Sequence, residues 1–143
     1  MIRPVGYSEI LDDPNWPTLL AEYAAECSLP ELGEPSPQRE LYELLEKSGG
    51  FQAFGVYEGD RLIGFACVLI YVLPHYGTKI AASESMFVTY GSSEGLDLKE
   101  TMKNHARRMG CSQFIWSAPV GSRFDLLLSR LHRHTNNVYL EVL

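Results

Sequence analysis

Cysteine is scarce in this 143-residue chain, and the three that occur, Cys27, Cys67 and Cys111, lie far apart with no Cys-x-x-Cys pair. That excludes a disulfide framework and a thiolate zinc site, leaving the thiols as small hydrophobes. Basic residues are also in deficit, 12 against 18 acidic, and the resulting net charge of −6 argues against a surface built for the nucleic-acid backbone. The local exceptions, Arg107 with Arg108 and the "SRLHRH" stretch, read as solvated helix faces. No apolar run is long enough to cross a bilayer; the longest, "LIGFACVLIYVL", is strand-sized. The start lacks the basic, apolar and small-residue order of an export signal, so a cytoplasmic protein with no membrane partner is expected. Neither the dinucleotide fingerprint GxGxxG nor the lysine-bearing triphosphate loop occurs, and "VGSRF" lacks the second glycine of a GxSxG nucleophile elbow. With no repeat, linker or low-complexity tract, a single domain over residues 1–143 is expected.

What is present is a dense series of periodic segments. "MIRPVGY" reads as a first strand. Pro17, suited to a first helical turn, precedes Leu19, Leu20, Tyr23, Ala24 and Cys27 at helical spacing. After the loop "LPELGEPSP", Ser36 and Pro37 are expected to start a second helix carrying Leu41, Leu44 and Leu45, ended by Gly49 and Gly50. "FQAFGVYE" and "RLIGFACVLIYVL", joined by Gly59 and Asp60, read as an antiparallel hairpin. "PHYGTK" breaks the pattern, and "IAASESMFVTY" is a further strand. Leu98, Met102, Ala106 and Met109 form the apolar stripe of a helix closed by Gly110, with Lys99, Lys103 and Arg107 pointing elsewhere. "SQFIWSAP" reads as a strand, "SRFDLLLSRL" as a helix buried through Phe124, Leu127, Leu128 and Leu131, and "NNVYLEVL" as a terminal strand. Three strands in a row exclude a doubly wound parallel sheet, while the later β-α-β unit needs one crossover. An α/β (α+β) fold follows, with a mixed, mostly antiparallel sheet and helices on both faces.

The stretch "VTYGSSEGLDLKE" places small residues between a strand and a helix. A helix N-terminus offers unpaired N–H groups and a positive dipole end, so Gly91 to Gly95 is placed to receive an anion, with Ser92 and Ser93 as added donors. Glu94 opposes such a ligand, and a turn that binds nothing is the alternative. His132 and His134 sit two apart, but no third ligand accompanies them, so no metal site is expected.

The order of these elements, with "GVYEGDRLIGFACV" and "ESMFVTYGSSEGLDLKETMKNHARRMG" as its central blocks, resembles the GNAT acyltransferase family over nearly the whole chain. The blocks "VLPHYG" (Val72 to Gly77), "ES-F-V" (Glu84 to Val88), "SAP-GSR" (Ser117 to Arg123) and "RHTN-V" (Arg133 to Val138) resemble GNAT-like proteins of phages and prophages. The resemblance implies a twisted GNAT-like sheet and transfer of an acyl group, expected to be acetyl, from acetyl-CoA or another acyl-CoA to an amine. It implies that Met86, Phe87 and Val88 hold the pantetheine arm and that Gly91, Ser92, Ser93 and Gly95 wrap the pyrophosphate. Against the family's Gln/Arg-x-x-Gly-x-Gly/Ala loop, Tyr90 replaces the first residue and Ser93 the middle glycine, leaving Gly95 as the match.

Glu84 falls where the family often keeps the base that takes the amine's proton, a solvated strand glutamate being the alternative; His75 and Tyr76 read as wall or proton-relay residues or simply as a "PHYG" turn. The tyrosine that protonates the departing thiolate in the family is absent, Leu128 standing in its place. Ser117 reads either as facing the gap between the fourth and fifth strands or as a strand-end cap. The implied acceptor is a small-molecule or protein amine, a homodimer is the expected assembly, and a catalytically inactive binding module of the same fold is the alternative.

Overall fold

The computed structural model describes all residues, Met1 to Leu143. Five strands, β1 (Ile2–Val5), β2 (Phe51–Glu58), β3 (Arg61–Leu73), β4 (Thr78–Val88) and β5 (Gln113–Ile115), form one sheet in sequence order. The first four pair antiparallel and β5 joins β4 in parallel. Five α-helices, α1 (Tyr7–Leu11), α2 (Trp16–Cys27), α3 (Arg39–Lys47), α4 (Gly95–Arg108) and α5 (Arg123–Leu131), complete the chain with one 3-10 turn at Pro30–Leu32.

Because strand side chains alternate in direction, β2 to β4 present two apolar faces, and each is covered. On one face Phe51, Ala53, Phe65, Cys67 and Phe87 pack with Tyr7 and Ile10 of α1 and Trp16 and Leu19 of α2, while Tyr42 and Leu45 of α3 close the edge. On the other face Phe54, Val56, Ala66, Val68, Ala81 and Val88 receive Leu98, Met102 and Ala106 of α4, flanked by Phe114 and Trp116. Full burial of side chains such as Leu19 and Leu98 contributes about 2 kcal/mol each. Helices therefore cover both faces of a mixed sheet, as the element order requires.

The expected hairpin forms with Glu58 opposite Arg61, and Gly59 takes a φ of 59° at its turn. Other expectations are corrected. Helix α3 begins at Arg39, two residues beyond Pro37, with Gln38 as an extended N-cap that makes no side-chain capping bond. Leu41 and Leu44 are exposed and Leu45 half-buried. The α4 stripe stops at Ala106; Met109 is the exposed C-cap, and Lys99 is buried.

The five-residue helix α1 went unread, as it is too short to show a period. The terminal strand does not form: residues 132–143 carry no regular structure. Phe124, Leu127 and Leu128 are accordingly only half-buried, and Leu131 is exposed.

Candidate active site

Strand β4 organises the site through a one-residue irregularity. Cys67 of β3 faces Ser85, but its neighbour Val68 faces Ser83, so Glu84 is an extra residue in the ladder. Strict alternation would send Glu84 and Ser85 to opposite faces. The bulge turns both toward the face covered by α1 to α3, where they line a cleft of about 200 Å³ with Tyr7, Trp16, Tyr23 and Tyr42.

The aromatic walls brace one another. Tyr42 stacks on Tyr7 with ring centroids 3.8 Å apart, and Phe65 meets Trp16 and Tyr23 edge-on at 5.3 and 5.5 Å. The Tyr42 hydroxyl donates to Glu84 Oε1 at 3.1 Å. Burial, reinforced by the Glu84 charge, raises the Tyr42 hydroxyl pKa well above its usual value, and burial pushes Tyr23 up to about 12. Both phenols remain protonated donors at neutral pH. Glu84 itself is exposed and has room to accept a proton from a ligand.

The next three residues of β4, Met86, Phe87 and Val88, line a second groove of about 110 Å³ with Ser92, Gly95, Arg123, Phe124 and Leu127. It opens because β5 accompanies β4 only as far as Ala82. A clasp marks the fork: the Ser117 N–H donates to Ser83 Oγ at 3.0 Å, and the Ser117 hydroxyl donates to the Ser83 carbonyl at 3.3 Å. Beyond the clasp the chain turns away, and Ser122 caps α5 by accepting the Asp125 N–H at 3.2 Å.

At the groove's upper end, Gly91 takes a φ of 83°, a conformation that glycine accepts without strain. The Glu94 N–H is satisfied by Ser92 Oγ at 3.2 Å, whereas none of Gly95, Leu96 and Asp97 donates to a loop carbonyl. No side chain caps this helix start. One turn further, Lys99 is only 5 % exposed, and its Nζ lies 4.8 Å from the Trp116 ring centroid. Lys99 forms no ion pair. Burial, helped by Lys103, lowers its pKa. Helical side chains lean toward the helix N-terminus, which directs Lys99 along the face it shares with Gly95.

Arg123 closes the other wall. Its guanidinium donates to Glu26 and, from Nη2, to the Val88 carbonyl at 2.8 Å, while lying 3.9 Å from the Tyr90 ring centroid. Burial acts to raise the Glu26 pKa, but the Arg123 bonds prevail and hold it below the usual carboxylate range.

The expected residues thus divide. Glu84 lines the aromatic cleft; Met86, Phe87, Val88, Ser92 and Gly95 line the neighbouring groove; Gly91 and exposed Ser93 belong to the loop above it. His75 and Tyr76 sit edge-to-face at 5.0 Å in the turn joining β3 to β4. Six residue steps of β4 from Thr78 to Glu84, at about 3.3 Å each, put that turn roughly 20 Å from the carboxylate. Neither residue lines the two clefts. His132 stacks near Trp116, and no three His, Cys, Asp or Glu side chains converge as metal ligands. Tyr42 and Lys99 were not marked by any motif, an aromatic or a cation on a helix being their only signal, and Arg123 ends the "SAP-GSR" block without a role assigned to it.

The whole architecture has solved counterparts. A ribosomal-protein-alanine N-acetyltransferase from Brucella melitensis biovar Abortus 2308 matches with a TM-score of 0.70 at 17% identity, covering 99% of this chain and 98% of that one. An aminoglycoside acetyltransferase from an uncultured soil metagenomic sample, in complex with trehalose, matches with a TM-score of 0.70 at 14% identity, covering 99% and 95%. A predicted acetyltransferase with acetyl-CoA from Clostridium acetobutylicum matches with a TM-score of 0.67 at 13% identity, covering 99% and 94%. The chain has the GNAT acetyltransferase fold. No known family profile matches it. Nor does any curated protein sequence. No helix is long and apolar enough to cross a membrane.

Proposed function

We propose that the chain is an N-acyltransferase that moves an acyl group, acetyl in the first instance, from acyl-CoA to an amine. The observation that carries this reading is the continuity of the two clefts along β4. Glu84 and Ser85 line one, Met86 to Val88 line the other, and consecutive turns of α2 serve both through Tyr23 and Glu26.

The residues of the second groove fit a cofactor with an anionic end and an uncharged arm. The free N–H groups at the start of α4 suit phosphate oxygens, while Phe87, Phe124 and Leu127 offer apolar walls. When bound, acyl-CoA supplies an electrophilic acyl carbon and a thiolate leaving group. Glu84 complements it, because its carboxylate accepts the proton that an ammonium must lose before its nitrogen can attack. Tyr42 holds that carboxylate toward the cleft. Fold neighbours named for a ribosomal-protein alanine and for aminoglycosides lend support to both protein and small-molecule amines as acceptors.

Calorimetric titration with acetyl-CoA tests the proposal. Micromolar binding is expected, and no heat at millimolar cofactor overturns it. The second reading, a binding module without turnover, draws on Arg123, whose donation to the Val88 carbonyl occupies the groove wall, and on Tyr90 in the loop. A protein that gives no heat with acetyl-CoA yet pulls a host protein from solution would fit it. A homodimer through the C-terminal segment belongs to the same proposal, since Val138, Tyr139 and Val142 are exposed there. Sedimentation of the full chain against one ending at residue 134 checks it, with a monomer in both cases as the contrary result.

A further inference from the structure

The acceptor cleft has a chemistry of its own. Among its lining residues Glu84 carries the single carboxylate, no lysine or arginine is present, and the rest is dominated by tyrosine, tryptophan, phenylalanine, leucine and proline. One carboxylate can balance one ammonium. A second or third cationic centre entering the same cleft would lose hydration without gaining a counter-charge, an uncompensated cost for each. Ring faces partly compensate a single cation held near them, which makes them suited to a monoamine and insufficient for a polyamine.

Size and rigidity point the same way. An apolar cavity of about 150 Å³ holds benzene, so a cleft of about 200 Å³ accommodates one ring with a short amine arm. The walls are pre-formed: Tyr42 is fixed by its stack on Tyr7, Trp16 and Tyr23 are fixed against Phe65, and Pro35 and Pro37 stiffen the rim. A pre-formed apolar cleft binds a rigid apolar body with little ordering cost.

Resting on the acyltransferase reading above, we propose that the acceptor is a primary monoamine carried on a small, flat apolar body, and not a polycation. The amine enters as an ammonium paired with Glu84. It surrenders one proton to that carboxylate, the freed nitrogen lone pair forms the N–C bond as the acyl C–S bond breaks and its electron pair leaves on the thiolate of CoA, and the nitrogen sheds its second proton, which neutralises the thiolate to give the neutral amide and the CoA thiol. The body of the acceptor lies against Tyr42 and Tyr23.

Two measurements test this. In the first, release of free thiol from acetyl-CoA is followed with phenethylamine, butylamine, spermidine and kanamycin as acceptors. The expected kcat/KM for phenethylamine exceeds those for spermidine and kanamycin by about tenfold or more, the ring contacts supplying the difference. A preference for either polycation overturns the inference while leaving the acyltransferase reading intact. In the second, phenethylamine and spermidine are titrated calorimetrically into the protein without cofactor. Tighter binding of phenethylamine supports the inference even if acetyl-CoA does not bind. Equal or tighter binding of spermidine overturns it. Tyr42→Leu should abolish the preference for phenethylamine over butylamine without altering acetyl-CoA affinity.

Discussion

The two clefts beside β4 are built from opposite materials. One is an aromatic cleft with a single carboxylate; the other runs from apolar walls to a helix start with free N–H groups. The strand that separates them changes roles within two residues, because the bulge at Glu84 resets which side chains face which way. The lesson is that a sheet edge can line two clefts of unlike polarity without a second domain, provided that its ladder is broken at the boundary. Each cleft then has a property that the other lacks, and each can be disabled separately.

The largest effect should come from the aromatic side. Glu84→Gln keeps the shape and the contact with Tyr42 but cannot take a proton, so turnover is expected to fall about 100-fold with acetyl-CoA affinity within about twofold of the parent. Unchanged turnover would remove Glu84 from its role, and a loss of cofactor affinity would merge the two clefts into one.

The next effect belongs to the other side. Lys99→Leu removes a buried positive charge one turn beyond the helix start and should weaken acetyl-CoA binding a few-fold through the field alone. The same change should raise the melting temperature by about 3 °C, because it relieves a buried unpaired cation. The pH dependence has a definite sign. Lys99 has a folded pKa below its unfolded value of about 10.4, so its cost is present below the folded pKa and disappears as pH rises toward the unfolded one. The parent should gain stability over that interval and the leucine variant should not, a difference readable by urea unfolding at pH 7 and pH 10.

Tyr42→Phe is expected to lower turnover only a few-fold, since it removes the hydroxyl that orients Glu84 and keeps the ring. A drop matching that of Glu84→Gln would show the phenol to be as essential as the carboxylate. The smallest effect is that of the pair between half-exposed Arg123 and the largely covered Glu26. The folded Glu26 pKa is lowered, so the stabilisation is complete above its unfolded value of about 4.3 and is lost as pH falls through the folded one. Glu26→Gln should flatten acid unfolding in that window, by no more than about 1 kcal/mol given the exposure of Arg123.

Much of the scaffold was legible because its signals are periodic. The alternation of β2 to β4 and the spacing of Leu98, Met102 and Ala106 state directly which faces are covered. The terminal segment failed for a different reason: "NNVYLEVL" has strand composition, but a strand needs a neighbour, and composition cannot supply one. Lys99 was misread because a charged residue beside an apolar stripe is ordinarily solvated, and only the position of Trp116, seventeen residues on, buries it. The placement of Glu84 was legible through resemblance. The bulge that aims it was not, because one extra residue in a strand leaves no mark in a single sequence.

The clasp between Ser83 and Ser117 has a consequence for adaptation. Two hydroxyl-bearing side chains set the point at which β4 and β5 part. The length of the slit below is therefore adjustable by substitution alone, without insertion or loss of backbone. Replacing Ser83 by a larger, non-bonding residue such as valine would move the parting point toward Ala82 and lengthen the opening by about one residue step, roughly 3.3 Å. A substitution at one small residue would in this way alter the length of the opening.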